Sequence, residues 1–137
     1  MASYGRQLGS RRGATMVESA LALLVFGVLV AGIMELGLVG FAANSVSFSA
    51  QRAARYAAMR GSGSGHAATV ADIQATAQGY AAPLNSSSLL VAVTWTPDNH
   101  PGSTVEVKVS YAIRPALLPG SAGALTVEST ARQTISQ

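Results

Sequence analysis

The apolar and polar positions of the chain follow three patterns in turn, and the first predicts a membrane span. Residues 20–43 are apolar or Gly at every position except Glu35. As a helix with about 1.5 Å of rise per residue, this run covers about 36 Å, which exceeds the roughly 30 Å hydrocarbon core of a bilayer. A fully buried helix of a soluble domain is the alternative, but 137 residues provide no core that surrounds a helix on all sides. We predict one transmembrane helix.

The second pattern predicts that this helix continues as a stem. Small apolar residues recur at helical spacing beyond residue 43, at Val46, Ala50, Ala53, Ala54 and Ala57. Arg52 and Arg55, three positions apart, share a face. Residues 61–65 read GSGSG and are expected to end the helix, because consecutive glycines lose backbone entropy and serines prefer turns. One continuous helix over residues 14–60 is therefore predicted.

The third pattern predicts an antiparallel sheet. Residues 104–113 alternate between apolar and polar side chains, the period of a strand with one packed face and one wet face. Residues 89–96 and 124–134 give two further strands. The turn formers of residues 97–102 predict a hairpin between the first two strands. Trp95, in the first strand, is expected in the core.

Between the linker and the strands, residues 66–82 fit a short amphipathic helix that covers the sheet. Thr69 is its expected N-cap and Pro83 its stop. One stripe of this helix holds Val70, Ile73, Ala77 and Tyr80. The predicted fold class is α+β: a long N-terminal transmembrane and stalk helix, followed by a small head of one short helix packed on a three-stranded antiparallel sheet.

Composition supports the membrane assignment and limits the chemistry. Charged residues make up 11% of the chain, against roughly 25% in soluble domains. The net charge of +3 matches the three arginines before residue 14, and Lys108 is the single lysine, so nucleic acid is not an expected partner. The chain has no cysteine, and its two histidines, His66 and His100, lie in Gly/Pro-rich loops outside any catalytic motif. No catalytic residue, metal, cofactor or small-molecule substrate is expected.

The start of the chain carries a family resemblance. RRGATMVE places Glu18 five residues after Gly13, directly before the apolar run. This arrangement resembles a type IV prepilin. With the AARYAA stretch and the later VTWTPDNHPGSTVEVKVSYAI, most of residues 11–132 resembles the TadE-like (TadE/TadG) pseudopilins of tight-adherence (Flp) pilus systems. Ser19 and Leu38 depart from the family, in which an aromatic residue and an Arg are common at these positions.

The resemblance implies that a prepilin peptidase removes residues 1–13 by cutting between Gly13 and Ala14. The new α-amine of Ala14 would be neutralised by Glu18 of a neighbouring subunit, which sets the register of adjacent stems. Two alternatives for Glu18 stay open. It could pair with the α-amine of its own chain, about one helical turn away, or lie at the cytoplasmic headgroups beside the leader arginines.

Two further features of the span are candidate contacts between helices. Glu35 lies about 25 Å beyond Glu18 along a helix, near the outer hydrocarbon boundary. It could contact a polar group on a partner helix or be solvated at the interface. Gly27 and Ala31 form a small-xxx-small pair that would allow a second helix to approach closely.

The resulting hypothesis is a minor pilin-like component needed for assembly of a tight-adherence pilus or secretion system. Its expected partners are a prepilin peptidase, other pilin-like subunits, the inner-membrane assembly platform and membrane lipid. The predicted division is a leader (1–13), a transmembrane and stalk helix (14–60), a linker (61–65) and an extracytoplasmic head (66–137). The N-terminus is placed in the cytoplasm of a bacterium, although basic residues flank the span almost equally on both sides.

Two other hypotheses fit parts of the sequence. The first is an exported soluble binding domain with a cleaved Sec or twin-arginine signal. The apolar run is longer than the 7 to 15 residues of a usual signal, which counts against it. The second is a single-pass membrane scaffold that is never cut.

Overall fold

A computed structural model of the chain describes the backbone of residues 8–82, 84–114 and 123–136, with side chains from residue 13 onwards. The side chains of the predicted leader up to residue 12 are not among those described. Pro83, the predicted stop of α2, also lies outside the described residues. The helices and strands are α1 (Leu8–Ala58), α2 (Val70–Tyr80), β1 (Leu89–Thr96), β2 (Thr104–Ile113) and β3 (Leu125–Thr134). A long apolar helix, one further helix and a three-stranded antiparallel sheet confirm the α+β prediction.

Helix α1 begins earlier than its predicted start at residue 14. It is already helical at Leu8, so the Gly13–Ala14 peptide lies within the helix. Its C-terminus at Ala58 is two residues short of the predicted end, because the Arg60 N–H bonds back to the Ala57 carbonyl, a tighter turn than the α-helical one. The backbone N–H of Ser136 donates to the Ala58 carbonyl at 3.0 Å, so the C-terminal segment satisfies a carbonyl that the helix leaves open.

The sheet has the strand order β1-β2-β3 with both pairs antiparallel. The predicted bounds of the first two strands are those observed, and the third starts one residue later than predicted. Val105, Val107 and Val109 of the central strand are fully buried on one face. On the other face Lys108 pairs with Glu128 at 3.0 Å across the strands. This division into a packed and a wet face follows from the alternation in the sequence.

The C-terminal part of α1 packs on the sheet. Its stripe of small residues (Val46, Ala50, Ala53, Ala54 and Ala57) is buried in one cluster with Ile73 and Ala77 of α2 and the valines of β2. The chain divides into two compact units, the second of which begins at Gly37, and we call this second part the sheet unit. The residues predicted as a stem stripe therefore form core of the sheet unit.

Helix α2 begins with a complete capping box. The Thr69 hydroxyl accepts from the Asp72 N–H, which confirms Thr69 as the N-cap, and the Asp72 carboxylate accepts from the Thr69 N–H, which the sequence analysis did not predict. Of the four predicted stripe residues, Ile73 and Ala77 are buried, whereas Val70 and Tyr80 stay 40% and 47% exposed at the two ends.

The edge strand β1 is only partly covered. The Gln74 side chain of α2 donates to the Val91 carbonyl at 3.1 Å, which connects helix and strand. Trp95, expected in the core, lies at its margin and is half-buried against it. Trp95 lies on β1, an edge strand of the sheet.

Candidate processing and assembly site

The residues predicted for processing lie on the exposed surface of α1. Gly13 and Ala14 are both exposed, and a Cβ at Gly13 would meet nothing within 4 Å. Their peptide is part of the helix, in which each carbonyl bonds the N–H four residues later. Cutting this peptide therefore requires the first turns of α1 to open locally. The sequence pattern predicted these residues for processing and placed the start of the helix at residue 14, whereas the structure extends the helix through Gly13 to Leu8.

Glu18 and Glu35 lie far apart on the same helix. Glu18 is exposed one turn beyond Ala14, whereas Glu35 is half-buried. Their separation of 17 residues corresponds to about 25 Å along the axis, so the two carboxylates form separate sites. A carboxylate at mid-bilayer costs about 2.5 to 3.5 kcal/mol on insertion scales, and Glu18 therefore needs a counter-charge or a position at the membrane surface.

The apolar part of α1 presents its side chains outwards. Large apolar residues such as Leu24, Phe26 and Leu29 are more than half exposed, and a Cβ at Gly27 would meet nothing within 4 Å. Within the described residues, Gly13–Ala58 is the one helix long and apolar enough to cross a membrane. An apolar surface of this extent is stable in lipid or against other helices rather than in water. Gly27 is exposed and Ala31 is half-buried, and the approach of a second helix at this pair stays a prediction.

A serine, a histidine and an aspartate meet at the loop end of the sheet unit, an arrangement that sequence reasoning missed. The Ser62 Oγ lies 2.8 Å from the His100 Nδ1, and Asp98 Oδ2 lies 4.0 Å from the His100 Nε2. In a serine hydrolase the serine contacts Nε2 of the histidine and the aspartate contacts Nδ1, which is the reverse of this arrangement. The 4.0 Å between Asp98 and His100 is also longer than a hydrogen bond. The Ser62 N–H also donates to the Asn99 carbonyl. The contacts fasten the 61–65 segment to the β1–β2 hairpin.

Asp98 is held in place by the same hairpin. The Ser103 hydroxyl donates to its carboxylate at 2.6 Å, and the His100 N–H donates at 3.0 Å. The hydrogen bond from Ser103, followed by the one from the His100 backbone, keeps the pKa of Asp98 below its ordinary value. In the described part of the chain, no three His, Asp or Glu side chains come together in a way that could hold a metal ion.

The comparisons with known proteins bear on the helix. The family model described as TadE-like protein matches residues 13–55. No curated protein and no solved structure matches the chain. The family match begins at Gly13 and includes every residue considered above for processing, charge pairing and helix packing, and it stops before α2. It confirms the resemblance seen in the sequence for this segment.

Proposed function

Because residues 13–55 match the TadE-like family, we propose that the chain is a membrane-anchored, minor pilin-like component of a tight-adherence pilus or secretion system. The observation that supports this most strongly is the order of parts on α1. A Gly–Ala peptide, a glutamate one turn later and an exposed apolar helix follow one another within the matched segment. The role is one of binding and positioning other subunits.

Processing would create the charge that assembly uses. Cleavage between Gly13 and Ala14 by a prepilin peptidase gives Ala14 a positive α-amine at the membrane surface. Glu18 of an adjacent subunit can then accept this cation, which removes the cost of a lone carboxylate in lipid. Helix contact along surfaces such as Gly27 and Ala31 adds van der Waals energy, while the charge pair sets the register.

The membrane orientation follows from the same proposal. The peptidase acts on leaders that stay in the cytoplasm, so the N-terminus lies inside and the sheet unit outside the bacterial inner membrane. Basic residues on either side of the span are nearly balanced and do not fix the orientation themselves. The sheet unit would then offer its surface to other pilin-like subunits and to the assembly platform.

The test is the N-terminal residue and the intact mass of the protein recovered from native membranes. We expect the chain to start at Ala14. The variant Gly13→Leu should keep its leader, because the peptidase would no longer accommodate the residue before the cut. Gly9→Leu, which changes a leader glycine away from the cut, is the matched control and should be processed normally.

Three outcomes would contradict the proposal. A start near Ala43 would indicate an ordinary export signal and a soluble product. A functional protein that keeps its first thirteen residues would indicate an uncut scaffold. Normal processing of Gly13→Leu would show that the cut lies elsewhere.

A further inference from the structure

The first part of α1 contains a motif that normally marks the start of a helix. In residues 15–18, which read TMVE, a threonine is followed three residues later by an acid, just before the apolar run. This spacing is typical of a capping box, in which two side chains satisfy backbone N–H groups of the first turn. Because α1 is already helical at Leu8, the motif lies about two turns inside the helix rather than at its start.

The continuous helix prevents this box from forming. Each helical N–H donates to the carbonyl four residues before it, so the Thr15 N–H is directed at the Arg11 carbonyl. The Glu18 carboxylate therefore has no access to this N–H. Among the described residues, the exposed Glu18 side chain makes no hydrogen bond or ion pair. The acceptor of the box is thus available, but its donor is occupied.

Helix α2 shows the geometry that the same spacing gives where a helix does begin. The Thr69 N–H donates to the Asp72 carboxylate at 3.0 Å, and the Asp72 N–H donates to the Thr69 hydroxyl at 3.2 Å. Glutamate has one more methylene than aspartate and is a usual residue at this position of the box. Thr15 and Glu18 can therefore make the same two contacts in a helix that begins beside them.

Removal of residues 1–13 would create such a helix start. The N–H groups of Thr15, Met16 and Val17 would lose the carbonyls of residues 11–13, to which the helical pattern directs them. Backbone groups without a partner are costly next to lipid, because little water is present to replace the lost acceptor. The shortened helix therefore needs a cap, and the motif supplies one at the right place.

We propose that the cut between Gly13 and Ala14 converts residues 15–18 into the capping box of the shortened helix, with Thr15 as its N-cap. The inference rests on the proposed cut and adds Thr15 to the site as a positioning residue. The box would hold the Glu18 carboxylate at the first turn, where the helix dipole also favours a negative charge. A carboxylate has about four lone-pair sites, so Glu18 can accept the Thr15 N–H and a neighbouring subunit's α-amine together.

The experiment compares hydrogen exchange in two forms of the chain in bicelles. One form keeps residues 1–13, and the other starts at Ala14 after cleavage at a site for a sequence-specific protease placed directly before it. NMR gives the exchange rate of each N–H relative to that of an unstructured chain. In the cut form, Thr15→Val should speed exchange of the Glu18 N–H about fivefold, the usual contribution of an N-cap, and Thr15→Ser should leave it unchanged. In the uncut form neither substitution should change this rate.

Two substitutions of Glu18 separate capping from charge pairing, and α2 provides the control. Glutamine also occurs at this position of capping boxes, so Glu18→Gln should keep the Thr15 N–H protected in the cut form although it removes the charge. Glu18→Ala should lose that protection. Thr69→Val is the matched control and should speed exchange of the Asp72 N–H in both forms, because the start of α2 does not depend on the leader.

Several results would overturn the inference. These are unchanged exchange of the Glu18 N–H in Thr15→Val of the cut form, or equal changes in the cut and uncut forms. Loss of Thr15 protection in Glu18→Gln as large as in Glu18→Ala would assign the carboxylate to the α-amine of its own chain. The N-terminal residue of the native protein tests the proposed cut separately, since the exchange rates do not depend on which enzyme makes it.

Discussion

Thr69 and Asp72 show how two side chains define the start of α2. The Thr69 hydroxyl lies 2.7 Å from the Asp72 carboxylate, and its backbone N–H lies 3.0 Å away. The side-chain hydrogen bond from Thr69, and after it the backbone one, lowers the pKa of Asp72 from its ordinary value of 3.8. The ionised capping box is therefore fully formed above pH 4 and is lost as the pH falls through the lowered pKa.

We predict that Thr69→Ala destabilises the sheet unit by about 1 kcal/mol at neutral pH, the usual value of an N-cap. It should also weaken the dependence of stability on pH below 4, because the pKa of Asp72 then loses the largest cause of its lowering, the Thr69 side-chain hydrogen bond, and keeps the backbone one. Thermal unfolding of the full chain in detergent, followed by the fluorescence of Trp95, measures both effects. Trp95 is the single tryptophan and lies in β1.

Thr134→Ala, at the exposed end of β3, is the control for this prediction. It should leave the slope of stability against pH as it is in the unmodified chain. An identical slope for Thr69→Ala would show that the carboxylate of Asp72 does not contribute through the cap.

The packing of α1 on the sheet depends on small side chains. Ala50, Ala53, Ala54 and Ala57 are almost completely inaccessible and belong to one core cluster with the valines of β2. Protein cores are close-packed, so larger side chains at these positions are expected to meet neighbouring atoms. Leucine at one of these positions would have to push the helix away or adopt a strained rotamer. Alanine also has the highest helix propensity, so the same residues favour both the helix and its close approach.

Ala53→Leu should therefore lower the stability of the sheet unit by about 1 to 3 kcal/mol, as overpacking of a core does. Unfolding monitored by Trp95 fluorescence provides the measurement. Ala75→Leu, on the exposed side of α2, is the matched control and should change stability little. Equal effects of the two substitutions would mean that the interface is loose enough to accept three more heavy atoms without rearrangement.

The elements differ in how well the sequence predicts them. The alternation from Thr104 to Ile113 has one structural solution, and the strand is observed with these bounds. The alanine stripe of α1 predicts a buried helix face equally well. It does not show which element covers that face, because the sheet lies more than thirty residues away in the sequence. Similarly, the Arg52 guanidinium lies over the rings of Phe48 and Tyr80, and only tertiary packing brings Tyr80 of α2 to the other two.

For the candidate processing site, the sequence is more informative than the structure. Gly13, Ala14 and Glu18 are predicted for processing and charge pairing from their spacing alone, because the proposed peptidase and the proposed charge pair would need particular residues at particular positions. Their exposed, helical setting adds little that would reveal such a role. In the proposed function these residues act on other proteins at a membrane, so the fold of the isolated chain would not reveal their role.

For the whole molecule, we predict that Glu18→Ala inserts into the membrane normally but enters the assembled structure at least about tenfold less. A buried cation left without its partner costs about 3 to 5 kcal/mol, so the α-amine of Ala14 on the neighbouring subunit opposes packing. The amount of protein in purified pili or cross-linked complexes, relative to that in the membrane, measures the effect. Glu128→Ala removes an acid from an exposed surface pair and should assemble normally. Normal assembly of Glu18→Ala would exclude a need for the charge pair.

The bond between Ser136 and Ala58 joins residues 78 positions apart in the sequence. During translation the ribosome therefore releases α1 long before the segment that caps it has been made. The translocon can insert the apolar helix into the lipid while the sheet is still incomplete. The proposed cut and the folding of the sheet are then separable events in time, and a chain arrested before β3 would already present the Gly13–Ala14 bond to the proposed peptidase.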